Sequence, residues 1–173
     1  RALDADGVWS ATFAYLVAAA IGLALTLHIF PLDYVLGVRD LLGPPDADVG
    51  QNVVVQRYFF ADAWRWPPLT AANLAGPEGT NIGLIDGVPL LALPLKLMAG
   101  LLPMGFHGIG LWTALVWLLQ PVAAVWCLRG TGVRGPVPAV AVAVMAASMP
   151  AWWNRFGHPA LCGHFLLLLF LGC

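Results

Sequence analysis

Charged residues are scarce in this chain. Lysine, arginine, aspartate and glutamate make up 10% of its 173 residues, whereas hydrophobic residues make up 60%. Because soluble domains carry roughly a quarter of charged residues, this composition lies outside the soluble class and indicates an integral membrane protein. Basic residues are not in excess, since 8 lysines and arginines stand against 9 acidic residues. The chain therefore lacks the positive surface that nucleic-acid binding needs, and we expect no nucleic-acid partner.

Cysteine is also scarce. Cys127, Cys162 and Cys173 stand singly in apolar stretches, so their spacing indicates neither a zinc site nor a disulfide framework. We expect them to pack as small residues between helices. A cleavable signal peptide is not indicated either, because the apolar stretch of residues 8–30 is longer than the apolar core of such peptides.

Long apolar stretches predict the fold. Residues 8–32 form the first span, since about 20 apolar helical residues cross the hydrocarbon core of a bilayer. Residues 108–128 and 137–153 predict further spans, and residues 159–173 predict the start of another. Because the chain begins with Arg1 and stops inside this last apolar run, we expect the N-terminal part of a longer protein. The predicted fold class is all-α, a polytopic transmembrane helix bundle.

Residues 82–104 allow two interpretations. The stretch is apolar, but it contains Asp86, Lys96 and several prolines. Charges inside a span are costly, and irregular backbone at membrane depth requires protein or water around it. The segment is therefore either a full span or a re-entrant or interfacial helix on the outer side of the membrane.

The basic turn that contains Arg129 and Arg134 predicts the orientation, because short cytoplasmic loops carry an excess of lysine and arginine. With this turn in the cytoplasm, residues 33–81 and the polar turn 154–159 are extracytoplasmic, provided that residues 82–104 do not cross. If that segment crosses, the two polar turns exchange sides. We favour the non-crossing arrangement because of its prolines and charges.

Residues 33–81 form one long polar loop, which holds six of the nine acidic residues. After the Pro44-Pro45 turn, Asp46 or Asp48 can cap a helix that runs to about Ala63. At 100° per residue, one face of this helix carries Asp48, Gln51, Asn52, Val55, Phe59 and Asp62. The sequence predicts a short interfacial helix that presents a site at the membrane surface.

Asp46 and Asp48 form the first candidate pair. Two carboxylates at this spacing can bind a divalent cation or supply a general base. Helix capping and solvation are the alternative roles. Gln51 and Asn52 lie on the same helix face and favour the functional interpretation. A divalent cation bound by Asp46 and Asp48 is the cofactor that this pattern allows, and the sequence identifies no metal.

A second candidate cluster surrounds the polar turn near residue 155. Its members, which can bind a phosphate or pyrophosphate, are Asn154, Arg155, His158 and His164. The alternative is that Arg155 extends to the lipid headgroups and that the histidines are buried and hydrogen-bonded. His158 and His164 are six residues apart, which does not suit two metal ligands on one helical face.

Four further residues are candidates for substrate binding. Lys96 can neutralise a lipid phosphate, although its long side chain also suits the headgroup region, and Asp86 is the other charged residue of that segment. Trp64 and Trp66 can stack on sugar faces or anchor the chain at the interface, where tryptophan is enriched.

These motifs together resemble an uncharacterised family of bacterial multi-spanning membrane proteins. The resemblance rests on Asp48-Val-Gly-Gln51, Tyr58-Phe-Phe, Trp64-Arg-Trp-Pro67, Asp86-Gly-Val-Pro-Leu-Leu-Ala-Leu93, Gly110-Leu-Trp112 and Arg155-Phe-Gly-His158, and it covers most of the chain from Asp46 onward. The family is similar to the GT-C glycosyltransferases, which include protein O-mannosyltransferases and aminoarabinose transferases.

The resemblance implies an enzyme of the bacterial inner membrane. Its donor would be a polyprenyl-phosphate-linked sugar, and transfer would take place outside the cytoplasm. GT-C enzymes carry an essential aspartate in their first extracytoplasmic loop, as general base or metal ligand. Asp48 matches this position, with Asp46 as the second choice. A second acidic residue often occurs in the next external turn, whereas this chain has Asn154, Arg155 and His158 there.

Two other classes of function remain open at this point. Proline-interrupted apolar segments beside a polar site are also typical of transporters, so a transporter or lipid flippase is the first alternative. A membrane scaffold without catalytic activity is the second. Membrane lipids are expected partners in each case.

Overall fold

The computed structural model of the chain describes residues 5–39, 48–155 and 157–173. The helices are α1 (Ala5–Ile29), α2 (Leu32–Val35), α3 (Asp48–Ala61), α4 (Pro89–Leu97), α5 (Ile109–Gly130), α6 (Pro136–Ala147), α7 (Pro150–Trp153) and α8 (Phe165–Leu171). Short 3-10 turns occupy Ile82–Leu84, Ala99–Leu101 and Pro159–Cys162. Two short strands, β1 (Thr70–Ala71) and β2 (Thr80–Asn81), pair antiparallel with Thr70 opposite Asn81.

The chain divides into two compact units. The loop unit consists of Pro31–Thr113 and Gly157–Ala160, and the remaining residues form the helical unit. Helix α5 contributes its first residues to the loop unit and the rest to the helical unit. The fold is mainly helical, as the sequence predicts, and the small β-hairpin is its one addition among the described residues.

Among the described residues, two helices are long and apolar enough to cross a membrane, namely Ser10–Ile29 and Ile109–Gly130. They occupy the positions where the sequence predicts spans at residues 8–32 and 108–128. The helical unit is built around small side chains, because Ala14 and Ala18 of α1 pack with Ala139 and Ala143 of α6. Small residues allow two helix backbones to approach closely.

The predicted span at residues 137–153 is divided into two helices. α6 ends at Ala147 after 12 residues, which is about 18 Å of helix. Pro150 lacks an N–H and disfavours helical backbone at the preceding residue, which favours a helix break just before it. The Ser148 hydroxyl also donates to the carbonyl oxygen of Val144 at 2.8 Å, in the last turn of α6. Residues 159–173 are likewise divided, into the 3-10 turn and α8.

Residues 82–104 do not form one continuous helix. They contain a 3-10 turn, the nine-residue helix α4 and a second 3-10 turn. Nine helical residues extend about 13 Å, which is less than half of the roughly 30 Å hydrocarbon core. This length favours the re-entrant or interfacial alternative over the full span.

Candidate functional site

A cavity of about 520 Å³ lies within the loop unit. Its lining comes from the start of α3, the loop that connects β1 to β2, the turn before α4, and the short return of the chain at residues 157–160. The lining residues are Gln51, Asn52, Val54, Val55, Leu74, Ala75, Leu84, Ile85, Asp86 and His158. The cavity therefore joins four residues that the sequence singles out in three separate segments: Gln51, Asn52, Asp86 and His158.

Helix α3 supplies the two carboxamides. Its inner face buries Asn52, Val55 and Phe59, three of the residues on the face that the helical period predicts. Val55 and Phe59 pack with Ala71, Ile82 and Ala92 in the core of the loop unit. The helix is thereby fixed against the hairpin and α4. Asn52 is buried at the cavity wall, and Gln51 is exposed at its rim.

The turn that presents Asp86 has an unusual backbone. Asp86 and Val88 have φ angles of 57° and 50°, and Ala75, on another side of the cavity, has a φ of 58°. Residues with a Cβ atom rarely adopt this left-handed region, and each instance costs on the order of 1–3 kcal/mol. Such conformations persist where the surrounding structure enforces them, and they are concentrated at functional sites. Two of these residues, Ala75 and Asp86, line the cavity.

Gln56 holds this turn in place. Its side chain is fully buried, and its amide nitrogen donates to the carbonyl oxygen of Gly87 at 3.1 Å. Its amide oxygen accepts the N–H of Gly108 at 2.6 Å, just before α5 begins. Gly87 itself has no room for a side chain, because a Cβ atom there would lie 2.8 Å from the Ile82 carbonyl oxygen. Sequence reasoning did not identify Gln56, since nothing in the sequence separates it from exposed polar residues of α3.

A hydrogen bond of Trp112 positions the segment that carries His158. The Trp112 indole N–H donates to the carbonyl oxygen of Pro159 at 2.6 Å in a buried position. This bond joins two of the motifs that carry the family resemblance, around Gly110 and His158. Gly110 is also required by packing, because a Cβ atom there would overlap the carbonyl oxygen of Tyr34.

The chemistry of the cavity follows from its lining. Among the described lining residues, Asp86 supplies a carboxylate, His158 an imidazole, and Gln51 and Asn52 supply amide donors and acceptors. The other described lining residues are apolar. Carboxylates and amides bind hydroxyl groups, and apolar walls contact the non-polar faces of a ring. The cavity suits a ligand with hydroxyl groups and a non-polar ring face.

Lys96 lies elsewhere in the loop unit. It is 3% exposed, and its ammonium group is 3.9 Å from the centre of the Phe59 ring and 5.0 Å from that of Trp64. It also donates to the carbonyl oxygen of Ala63 at 3.4 Å. Burial lowers the pKa of Lys96, while the charge of Asp62 acts in the opposite direction. Lys96 and Trp64 therefore lie close to each other and outside the cavity lining.

Three other predicted residues also lie outside the cavity lining. Trp66 is exposed, His164 precedes α8, and Arg155 accepts a hydrogen bond from the Cys162 thiol through its carbonyl oxygen. Arg155 and His164 belong to the helical unit.

The predicted acidic pair is only partly described. Asp48 is the first residue of α3, so its backbone lies one turn before Gln51 and Asn52. Asp46, like the side chain of Asp48, lies outside the described residues. Within the described ranges, no three histidine, cysteine or acidic side chains come together as a metal site. The divalent-cation prediction for Asp46 and Asp48 therefore stays a prediction.

Residues 19–173 match a family model described as a domain of unknown function, DUF6311. No curated protein matches the chain, and no solved structure matches it.

Proposed function

The chain belongs to the DUF6311 family, whose description states no activity, and we propose a function from its cavity. We propose that it is an integral-membrane glycosyltransferase of the GT-C type. It transfers a sugar from a polyprenyl-phosphate donor to an extracytoplasmic acceptor. The cavity binds the sugar part of a substrate.

The observation that carries this proposal is the convergence of Gln51, Asn52, Asp86 and His158 on one cavity. These polar residues come from three segments of the chain and meet against apolar walls. Asp86 accepts hydrogen bonds from sugar hydroxyls, and the two carboxamides donate and accept. Its volume of about 520 Å³ lies within the range of small-molecule sites.

In the proposed mechanism, Asp48 is the general base. Its position at the start of α3 puts it about 5 Å along the helix axis from the cavity-lining carboxamides. The Asp48 carboxylate takes the proton of the acceptor hydroxyl as that oxygen forms a bond to the anomeric carbon. The bond from this carbon to the phosphate oxygen breaks, and the polyprenyl phosphate leaves with the electron pair.

His158 is the cavity residue suited to the leaving group. An imidazole N–H can donate a hydrogen bond to the departing phosphate oxygen, which stabilises its developing charge. The sequence offers Arg155 and Lys96 for the same role. His158 is preferred, because Lys96 already contacts Phe59 and Ala63, and neither Lys96 nor Arg155 lines the cavity.

We also propose a multi-pass arrangement in the inner membrane. α1 and α5 cross the bilayer, and the 22 residues of α5 extend about 33 Å. The turn with Arg129 and Arg134 follows α5 and lies in the cytoplasm, as its positive charge favours. The loop that carries α3 then lies on the extracytoplasmic side, where polyprenyl-linked sugars would be used.

A transfer assay with matched variants tests the function. The protein in proteoliposomes is supplied with undecaprenyl-phosphate glucose or mannose and with membrane acceptors, and release of undecaprenyl phosphate is measured. Asp48→Asn should lower the rate by about 10²–10⁴, the usual contribution of general base catalysis. Asp86→Asn should also lower it, through the lost sugar contact. Glu78→Gln, at an exposed site in the hairpin loop, is the matched control and should keep the wild-type rate.

Two results would contradict the proposal. If Asp48→Asn keeps its activity while inserting normally, Asp48 is not the base. If the wild type moves the lipid-linked sugar between leaflets without releasing undecaprenyl phosphate, the protein is a flippase and the transferase assignment is wrong.

A further inference from the structure

Helix α4 has its polarity reversed relative to a helix that faces water. Leu90 and Leu97 are 63% and 75% exposed, and they lie on one side of the helix with Pro94. The buried side carries Ala92, Leu95 and the only charged residue of the helix, Lys96. A helix at a water-exposed surface turns its charges outward and its leucines inward.

The inward charge is accommodated by the protein. Lys96 lies over the ring of Phe59 and near that of Trp64, and it donates to the carbonyl oxygen of Ala63. These contacts replace part of the hydration that a buried ammonium group loses. The loop unit thus keeps a charge away from the outer side of α4 at an energetic cost. Such an arrangement is favourable where the medium outside the helix is less polar than water.

Exposed apolar residues continue beyond α4. Leu101 and Met104, which follow the helix in the chain, are at least four-fifths exposed. We call these residues the apolar edge: Leu90, Leu97, Leu101 and Met104. Ordinary water-exposed surfaces carry large apolar side chains singly, whereas here several occur along one segment.

Two observations identify what covers the apolar edge. Helix α4 is about 13 Å long and too short to cross a bilayer by itself, so it can contact a membrane only along or partly within the surface. Helix α5, a candidate span, begins only five residues after Met104. Five residues reach at most about 18 Å, so Met104 lies close to the point where α5 enters the membrane.

We propose that the apolar edge docks on the lipid surface and inserts its leucines and methionine into the boundary between headgroups and acyl chains. The occupant is membrane lipid and not a second copy of the chain. Residues 82–104 then form a monotopic element on the side where α5 begins. This proposal concerns membrane contact alone and does not depend on sugar transfer.

Site-directed spin labelling tests the contact. The native cysteines are first replaced, as Cys127→Ser, Cys162→Ala and Cys173→Ser, and the protein is reconstituted in phosphatidylcholine–phosphatidylglycerol vesicles. Single cysteines are introduced as Leu90→Cys, Leu97→Cys, Leu101→Cys and Met104→Cys and labelled with a nitroxide. These side chains are exposed, so labelling should leave the fold intact. Asn73→Cys and Glu78→Cys, at exposed positions of the hairpin loop, are the matched controls.

The readout is the ratio of collision rates with oxygen, which concentrates in lipid, and with a water-soluble nickel complex. We expect this ratio to be about tenfold higher at the apolar edge than at the two controls. Equal ratios at edge and control positions would overturn the proposal, because the edge would then face water. Low collision rates with both reagents at the edge would also overturn it, since protein and not lipid would cover the edge.

Discussion

The carboxamide of Gln56 donates a hydrogen bond of 3.1 Å to the carbonyl oxygen of Gly87. Gly87 stands between Asp86 and Val88, the two residues with positive φ in the turn before α4. The bond therefore joins the fully buried interior of α3 to the strained turn that brings Asp86 to the cavity. It provides a physical reason for the persistence of an unfavourable backbone conformation at this position.

Gln56→Ala should destabilise the loop unit. The change leaves the Gly87 carbonyl and the Gly108 N–H without their side-chain partner, and a buried group left unsatisfied costs about 1–3 kcal/mol. Hydrogen exchange by mass spectrometry should show faster exchange in the segment around Gly87. Gln51→Ala is the control, because Gln51 lies on the same helix but is exposed. Unchanged exchange around Gly87 in Gln56→Ala would show that other contacts hold the turn.

Much of the helical structure could be predicted from apolar length and helical period. The candidate spans Ser10–Ile29 and Ile109–Gly130 follow from runs of apolar residues, and α3 follows from a capping signal and a buried face. The break before Pro150 was not predicted, although proline chemistry explains it. The apolar composition of residues 137–153 favours one continuous span, whereas Pro150 favours a break within it.

Individual residues of the cavity could be predicted from the sequence, but the cavity itself could not. The sequence singled out Gln51, Asn52, Asp86 and His158, but their convergence depends on long-range contacts and on positive φ angles, which no local pattern specifies. The spatial neighbours of Lys96 could not be predicted from its local sequence either. A lysine in an apolar segment suggested a lipid phosphate, whereas its neighbours in space are Phe59 and Trp64, which lie more than 30 residues earlier in the chain.

Gly22→Ala should weaken the packing of α1 against α5. A Cβ atom at this position would lie 2.5 Å from the carbonyl oxygen of Trp117 and 2.8 Å from the Leu118 Cα. Both are backbone atoms, so the helices must separate, and overpacking of this kind costs about 1–3 kcal/mol. Pro121 has no N–H, so it cannot donate to the Trp117 carbonyl within α5.

The measurement for Gly22 is the thermal unfolding midpoint in detergent. Ala20→Val, at an exposed position of the same helix, should leave the midpoint within about 1 °C or 2 °C, because surface changes stay within about 0.5 kcal/mol. A midpoint for Gly22→Ala equal to that of the wild type would mean that α1 and α5 are not closely packed there.

Asp62 should make the stability of the loop unit sensitive to acid. The N–H of Ala72 donates to this carboxylate at 2.7 Å, Arg65 lies 3.3 Å away, and both lower the pKa of Asp62 below its ordinary value. A lowered folded-state pKa stabilises the fold above the ordinary pKa of about 4, and this contribution is lost as the pH falls through the folded-state value.

Comparison with Asp62→Asn isolates this effect. Above about pH 5 the wild type should unfold at the higher temperature, and the difference should shrink as the medium is acidified below about pH 4. Glu78→Gln is the control, because Glu78 is an exposed carboxylate of the same unit, and its profile should run parallel to that of the wild type. A difference that is constant across this range would mean that the ionised form of Asp62 contributes nothing to stability.

Glycine substitutions at the residues with positive φ around the cavity should affect stability and activity differently. Ala75→Gly removes the Cβ atom from an exposed left-handed residue, a conformation that costs an alanine about 1–2 kcal/mol, while the added freedom of glycine in the unfolded chain costs about 0.5–1 kcal/mol. A net gain of up to about 1.5 kcal/mol is therefore expected. Asp86→Gly should gain less, because aspartate tolerates this region better, yet it should lose transfer along with the carboxylate. Chemical unfolding and the transfer assay on both variants measure the two effects. If Asp86→Gly is markedly less stable than the wild type, the carboxylate holds the turn together, and the loss of transfer cannot be assigned to substrate contact.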